Sequence, residues 1–139
     1  IVNGTMIAGG SVDEPIGRHP KNRQKMSVNP NGKPAVTHYR VKKRFEAHTH
    51  LDVQLETGRT HQIRVHLDHI NYPIVGDQVY AGRRRFPKGC TPELRTMIEE
   101  FGRQALHAKS LELVHPVTGE TCLWEAPLPQ DMKDLLKAL

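Results

Sequence analysis

Cysteine is scarce: the only two in 139 residues, Cys90 and Cys122, lie far apart and form no CxxC or zinc-ribbon spacing. A reducing compartment, the cytoplasm, is therefore the expected setting. No run approaches the ~18 consecutive apolar residues of a membrane span. No signal-peptide pattern opens the chain, so no membrane partner is expected. Internal repeats and low-complexity tracts are also missing. What the chain has in excess is positive charge, with Lys plus Arg at 20 against 15 for Asp plus Glu, a formal net charge of +5. Such a balance favours a polyanionic partner, RNA above all. The length suits one domain, and one of that size buries a core without staples. The first residue is Ile1 rather than Met, which points to a processed product, a domain cut from a larger protein, or a fragment.

Hydrophobic patterning predicts an α+β chain with a largely antiparallel sheet and flanking helices. Residues 1–10 read as a strand leading into a turn. Residues 11–31 are poor in large apolar side chains and hold Arg18, His19, Lys21, Arg23 and Lys25. They read as an exposed basic loop, folded as a loose hairpin. Ala35, Thr37, Tyr39 and Val41 alternate with His38, Arg40 and Lys42, the signature of a half-buried strand with a basic outer face. Residues 51–56 repeat the pattern until Thr57-Gly58 breaks it. Thr60 is the expected N-cap of a helix over residues 61–70, with Ile63, Leu67 and Ile70 at helical spacing. A loop over 71–87 carries Gly76-Asp77 and the run Arg83, Arg84, Arg85. Thr91-Pro92 should start a second helix, its stripe of Leu94, Met97, Ile98 and Phe101 closed by Gly102. Residues 106–114 and 121–126 read as a hairpin around Thr118-Gly119. Asp131 should cap a last helix bearing Met132, Leu135, Leu136 and Leu139.

Chemistry concentrates where the second long strand ends. In the run Thr57-Gly58-Arg59-Thr60-His61-Gln62-Ile63-Arg64-Val65-His66 a glycine turns the chain and a helix begins. Arg59, His61, Gln62 and Arg64 crowd that helix start, where free N–H groups and the helix dipole already attract anions. A phosphate or a carboxylate would bind there.

This run resembles the third conserved motif of the RluA family of pseudouridine synthases. So, in the family's order, do Gly32-Lys33-Pro34-Ala35-Val36-Thr37-His38-Tyr39, Gly76-Asp77-Gln78-Val79-Tyr80, Arg103-Gln104-Ala105-Leu106-His107-Ala108 and His115-Pro116 with Thr118-Gly119. The resemblance extends over residues 12–131. Residues 14–20 resemble, in particular, family members acting on a hairpin of large-subunit ribosomal RNA. It implies an isomerase of the pseudouridine synthase fold, without metal or organic cofactor. Such enzymes cleave the glycosidic bond of a chosen uridine, rotate the base and rejoin it through carbon. An essential aspartate is the nucleophile, and the target base leaves the stack to reach it. The implied partner is large-subunit ribosomal RNA or the assembling large subunit.

One departure governs the expected activity. The family's aspartate lies in a His-Arg-Leu-Asp string followed by Thr-Ser-Gly, and no such string occurs here. Asp13, Asp52, Asp68, Asp77, Asp131 and Asp134 all lack that context, and Tyr39, Tyr72 and Tyr80 do not match the family's active-site tyrosine. Residues 1–139 are thus expected to be the C-terminal portion of a catalytic domain, inactive alone. The nucleophile-bearing segment and an N-terminal RNA-binding domain would lie upstream. The resemblance carries over one catalytic residue, Arg64, as the basic partner of the nucleophilic aspartate. A guanidinium keeps such a carboxylate ionised, and its planar fork can hold both oxygens. Arg59, His61 and Gln62 either touch RNA phosphates or only shape the turn. Arg18, Lys21, Arg23, Lys25, Arg83, Arg84 and Arg85 are the remaining candidate RNA contacts.

Two rival readings follow from composition. Nine histidines raise the possibility of a metal site, with His61, His66 and His69 in one helix. No HExxH or cysteine cluster supports it, so no metal is expected. A non-catalytic RNA-binding module would use the same basic loops.

Overall fold

The computed structural model describes residues 1–139. Its elements in chain order are β1 (Val2–Asn3), β2 (Gly10–Asp13), β3 (Ile16–Arg18), β4 (Met26–Val28), β5 (Val36–Arg44), β6 (His48–Leu55), α1 (Gln62–His69), α2 (Pro92–Glu99), β7 (Ser110–Val114), β8 (Thr121–Glu125) and α3 (Gln130–Ala138). The class is α+β, and every strand pair is antiparallel. The main sheet runs β1-β6-β5-β2; β3–β4 and β7–β8 are separate two-stranded hairpins.

The alternation in β5 does what its sequence dictates. Ala35 and Thr37 are fully buried, and Tyr39 and Val41 pack against the core on the same side. A bulge between Val41 and Lys43 then shifts the register with β6. The main core joins Ile1, Val2 and Met6 to Leu67, Ile74, Val75, Ile98, Phe101, Ala105, Met132 and Leu135. A smaller core of Ile16, Ala35, Val65 and Tyr80 fastens the β3–β4 hairpin to α1. Residues 11–31 are thus a real hairpin anchored by Ile16. Ser11 to Asp13 belong to the main sheet through β2.

Four local expectations need correction. Thr60 does not cap α1. The residue before the helix is His61, in left-handed conformation at φ 55° and without a side-chain cap bond. The Gln62 amide instead reaches back to hold the turn. Thr91 does cap α2, accepting from the Leu94 N–H, but Gly102 does not close that helix. Arg84 reaches the carbonyls of Ile98 and Phe101 instead, so a side chain satisfies groups that a left-handed glycine would otherwise serve. The strand expected from residue 106 starts at Ser110; the Leu106 N–H turns back onto the Gln104 carbonyl instead of joining a ladder. Asp131 lies inside the first turn of α3, behind Pro129, with its carboxylate on Arg103 at 2.8 and 2.9 Å.

Candidate active site

The turn between β6 and α1 is built around a buried amide. Gln62 is 3% exposed, and all four of its hydrogen-bonding functions are taken. Its oxygen accepts from the Thr57 hydroxyl at 2.9 Å and the Arg59 N–H at 3.0 Å. Its nitrogen donates to the Val36 carbonyl and the Thr37 hydroxyl oxygen, each at 3.0 Å. Gln62 is therefore a scaffold for the turn and is not exposed to RNA. Arg59 is half-buried, with Nε donating to the Pro34 carbonyl at 2.9 Å, which ties it to the chain before β5. His66 completes the scaffold. Its Nε2 lies 2.8 Å from the Glu14 carbonyl, which can only accept, so Nε2 carries the proton and Nδ1 accepts from the Thr37 hydroxyl at 2.8 Å. With both ring nitrogens engaged, His66 is not placed to share an ion with His69.

Arg64, in the first turn of α1, points at the loop after Ile74. Its Nε donates to Asp77 Oδ2 at 2.8 Å and its Nη2 to Asp77 Oδ1 at 3.0 Å. The pair is dry, with side chains 13% and 0% exposed. Asp77 is anchored in turn by the N–H groups of Val79 and Tyr80, at 3.0 and 3.1 Å. Burial works to raise the Asp77 carboxyl, but the bonds from Arg64 and these two N–H groups outweigh it and hold it below the ordinary range. Arg64 is pushed above its usual value, chiefly by its hydrogen bond to Asp77.

Tyr80 closes the group. Its ring lies under the Arg64 guanidinium, 4.9 Å from centroid to Cζ, and Lys25 stands 5.4 Å from the same centroid. The hydroxyl accepts from the Met26 N–H at 2.9 Å and lies 2.7 Å from His61 Nδ1. Burial, then the nearby Arg64, lower the His61 pKa, so the ring is neutral at pH 7. A 330 Å³ cleft opens beside Tyr80, between the β3–β4 hairpin and α1, with Lys25, Val65, Asp68 and His69 on its walls. Gly76 sets the loop's path at φ +78°. A Cβ there would stand 2.0 Å from the Arg103 carbonyl oxygen.

The structure thus brings Arg64, His61 and Lys25 together around Tyr80. It leaves Arg18, Lys21 and Arg23 exposed on the hairpin and Arg83 and Arg85 exposed on the 71–87 loop. Arg18 donates to the Arg23 carbonyl at 2.7 Å, and Arg84 is engaged at the end of α2. Sequence reasoning quoted Asp77, Tyr80 and Gln104 within matching strings but gave them no role. The available signal was the three-residue spacing of Asp77 and Tyr80 beside a turn glycine, Gly76.

Comparisons with known proteins bear on the family and the fold. Residues 1–69 match the family model described as RNA pseudouridylate synthase. Over 136 residues the chain is 60% identical to the ribosomal large subunit pseudouridine synthase D of Salmonella typhimurium, covering 98% of this chain and 42% of that protein. The protein of the same name from Escherichia coli K12 is 56% identical over the same shares. The one from Vibrio cholerae is 58% identical across 100% of this chain and 43% of its own length. The chain therefore spans less than half the length of these curated relatives. Among solved structures, human RNA Pseudouridylate Synthase Domain Containing 4 superposes with a TM-score of 0.69 at 26% identity, over 99% of this chain and 58% of that one. Domain Containing 1 gives a TM-score of 0.69 at 22% identity, over 99% and 62%, which shows the shared fold.

Proposed function

Because the chain belongs to the RNA pseudouridylate synthase family, we propose that it is the part of a catalytic domain that supplies Arg64 to the active site of an enzyme isomerising uridines in large-subunit ribosomal RNA. The observation that carries this reading is the Arg64 guanidinium: nearly buried, fixed by a second carboxylate, and set in the run the family shares. Of the six aspartates, only Asp77 touches Arg64. Both its oxygens are engaged and its side chain is 0% exposed, so it is not presented to a substrate. The nucleophile is thus assigned to the portion of the relatives' length outside these residues.

In this scheme the nucleophilic carboxylate enters opposite Arg64, which keeps it ionised in a site closed by the flipped base. Glycosidic cleavage, rotation of the uracil and carbon–carbon closure involve no net oxidation, and the chain's residues contribute charge and position rather than redox chemistry. Lys25, Arg18, Lys21 and Arg23 on the hairpin, with Arg83 and Arg85, would hold the RNA backbone as unspecific cations. His61 would sit beside Tyr80 as a neutral wall of the pocket.

The test uses the purified parent protein and the 139-residue chain on unmodified large-subunit ribosomal RNA, with pseudouridine mapped at nucleotide resolution. The parent is expected to form it at discrete uridines, and the chain alone to form none while still binding RNA. Pseudouridine formed by the chain alone would place a nucleophile within it and overturn the assignment.

A further inference from the structure

We propose that Asp77 is a positioning residue of the parent enzyme: it grips one edge of the Arg64 guanidinium so that the other edge faces the nucleophile. This rests on the role given to Arg64 above. A guanidinium has two edges that can bind a carboxylate through paired N–H groups, Nε with Nη2 and Nη1 with Nη2. Asp77 occupies the first, at 2.8 and 3.0 Å. One N–H on Nη2 and two on Nη1 remain in the plane, and together they form a fork suited to a second carboxylate.

The faces of the cation are engaged as well. Tyr80 lies under it at 4.9 Å. With the Gln104 amide turned so that its oxygen faces the cation, that oxygen is 3.0 Å from Nη1 and 3.2 Å from both Nη2 and Nε. An in-plane oxygen can approach only two of the three nitrogens this closely, so the Gln104 oxygen stands over the plane. The guanidinium is therefore fixed in rotation and tilt by groups that leave one edge free.

Asp77 is suited to the task because it cannot move with its partner. Its Oδ1 also accepts from two backbone N–H groups, and the loop behind it turns at Gly76, where no side chain fits. An arginine paired with the nucleophile alone could follow it through several geometries. One clamped from behind offers a single geometry, and preorganisation of that kind lowers the barrier.

The experiment is a set of variants in the full-length parent, read by single-turnover rate at saturating enzyme, by RNA Kd and by thermal melt. Asp77→Asn keeps an oxygen for the Val79 and Tyr80 N–H groups but loses the charged grip. Its rate should fall on the order of 10²-fold, the scale of a misplacement near 1 Å, with RNA Kd within about twofold of wild type. In an Arg64→Lys background, where there is no edge to orient, Asp77→Asn should add about threefold or less. A normal rate for Asp77→Asn, with Arg64→Ala inactive, overturns this inference and leaves the function intact. Equal losses in both backgrounds mean that Asp77 serves only the turn, which also overturns it. A normal rate for Arg64→Ala overturns the reading beneath. Should Asp77→Asn not fold, Asp77→Glu is put through the same cycle: it keeps the charge but displaces the grip by about one bond, and the same expected and contrary outcomes decide.

Discussion

A polypeptide cut to begin at Ile1 should lose stability steeply between pH 8 and pH 5. The amine that such a cut creates is buried and donates to the Ala105 carbonyl at 2.8 Å, and burial lowers its pKa from 8.0 to about 5. Between those values the unfolded chain holds a proton on this amine that the folded chain does not, so stability rises with pH across the window. Three units at about 1.36 kcal/mol each give roughly 4 kcal/mol, fully present above pH 8 and lost by pH 5. That is a large part of the about 5–15 kcal/mol expected for a domain. His48, His50, His61 and His66 add to the same trend at the lower end, because burial lowers each of them and the folded chain takes up these protons less readily than the unfolded one. Two groups of assays separate the contributions. Urea unfolding at the two pH values gives the total; repeating it on a version with a few residues added before Ile1 replaces the amine by a peptide N–H. That version should keep the hydrogen bond to Ala105 and lose most of the pH dependence. The same slope in both versions, or a midpoint independent of pH, would refute the reasoning.

Two further outcomes follow from the geometry. Gly76→Ala meets the Arg103 carbonyl at 2.0 Å and a left-handed φ. It should destabilise the chain by more than the ~1–2 kcal/mol of the backbone conformation alone, and an unchanged urea midpoint would contradict the assigned tightness of this loop. RNA affinity of the chain should fall with salt at a log–log slope of about −0.7 per phosphate contact. Lys21→Ala, which removes an exposed cation on the hairpin, should reduce that slope by about one contact for all RNA sequences alike; salt-insensitive binding would contradict the electrostatic account.

Periodicity made most of the fold legible. The alternation of Ala35, Thr37, Tyr39 and Val41 set the buried face of β5, and Thr91-Pro92 set the start of α2, because both signals depend on neighbours a few residues away. The errors arose where a distant side chain answers a local need. Thr60 looked like a cap, but Gln62 organises that turn through Thr37 and Val36, some 25 residues earlier. Gly102 looked like a helix stop, but Arg84 satisfies those carbonyls from another loop. The site shows the same division. Arg64 stands in the run that drew attention to this helix start, whereas its partner Asp77 is 13 positions away, and no periodicity predicts a bond across that distance. Tyr80 joins Met26, His61, Lys25 and Arg64, which only the folded chain brings together.

The central claim, that Arg64 serves the chemistry rather than RNA affinity, is tested most directly by the single-turnover rate of Arg64→Ala in the full-length parent. Removing one partner of a buried charge pair costs roughly 3–5 kcal/mol, and each ~1.4 kcal/mol that reaches the transition state is about tenfold in rate. The rate should therefore fall by at least about two orders of magnitude. RNA Kd should stay within about twofold, because Arg64 is one of many cations, and a cooperative melt should persist. Arg64→Lys should recover only part of the rate, since a point charge cannot hold both oxygens of a carboxylate. A near-normal rate for Arg64→Ala would contradict the account and turn attention to Arg59, and loss of the cooperative melt would show that Arg64 holds the fold instead.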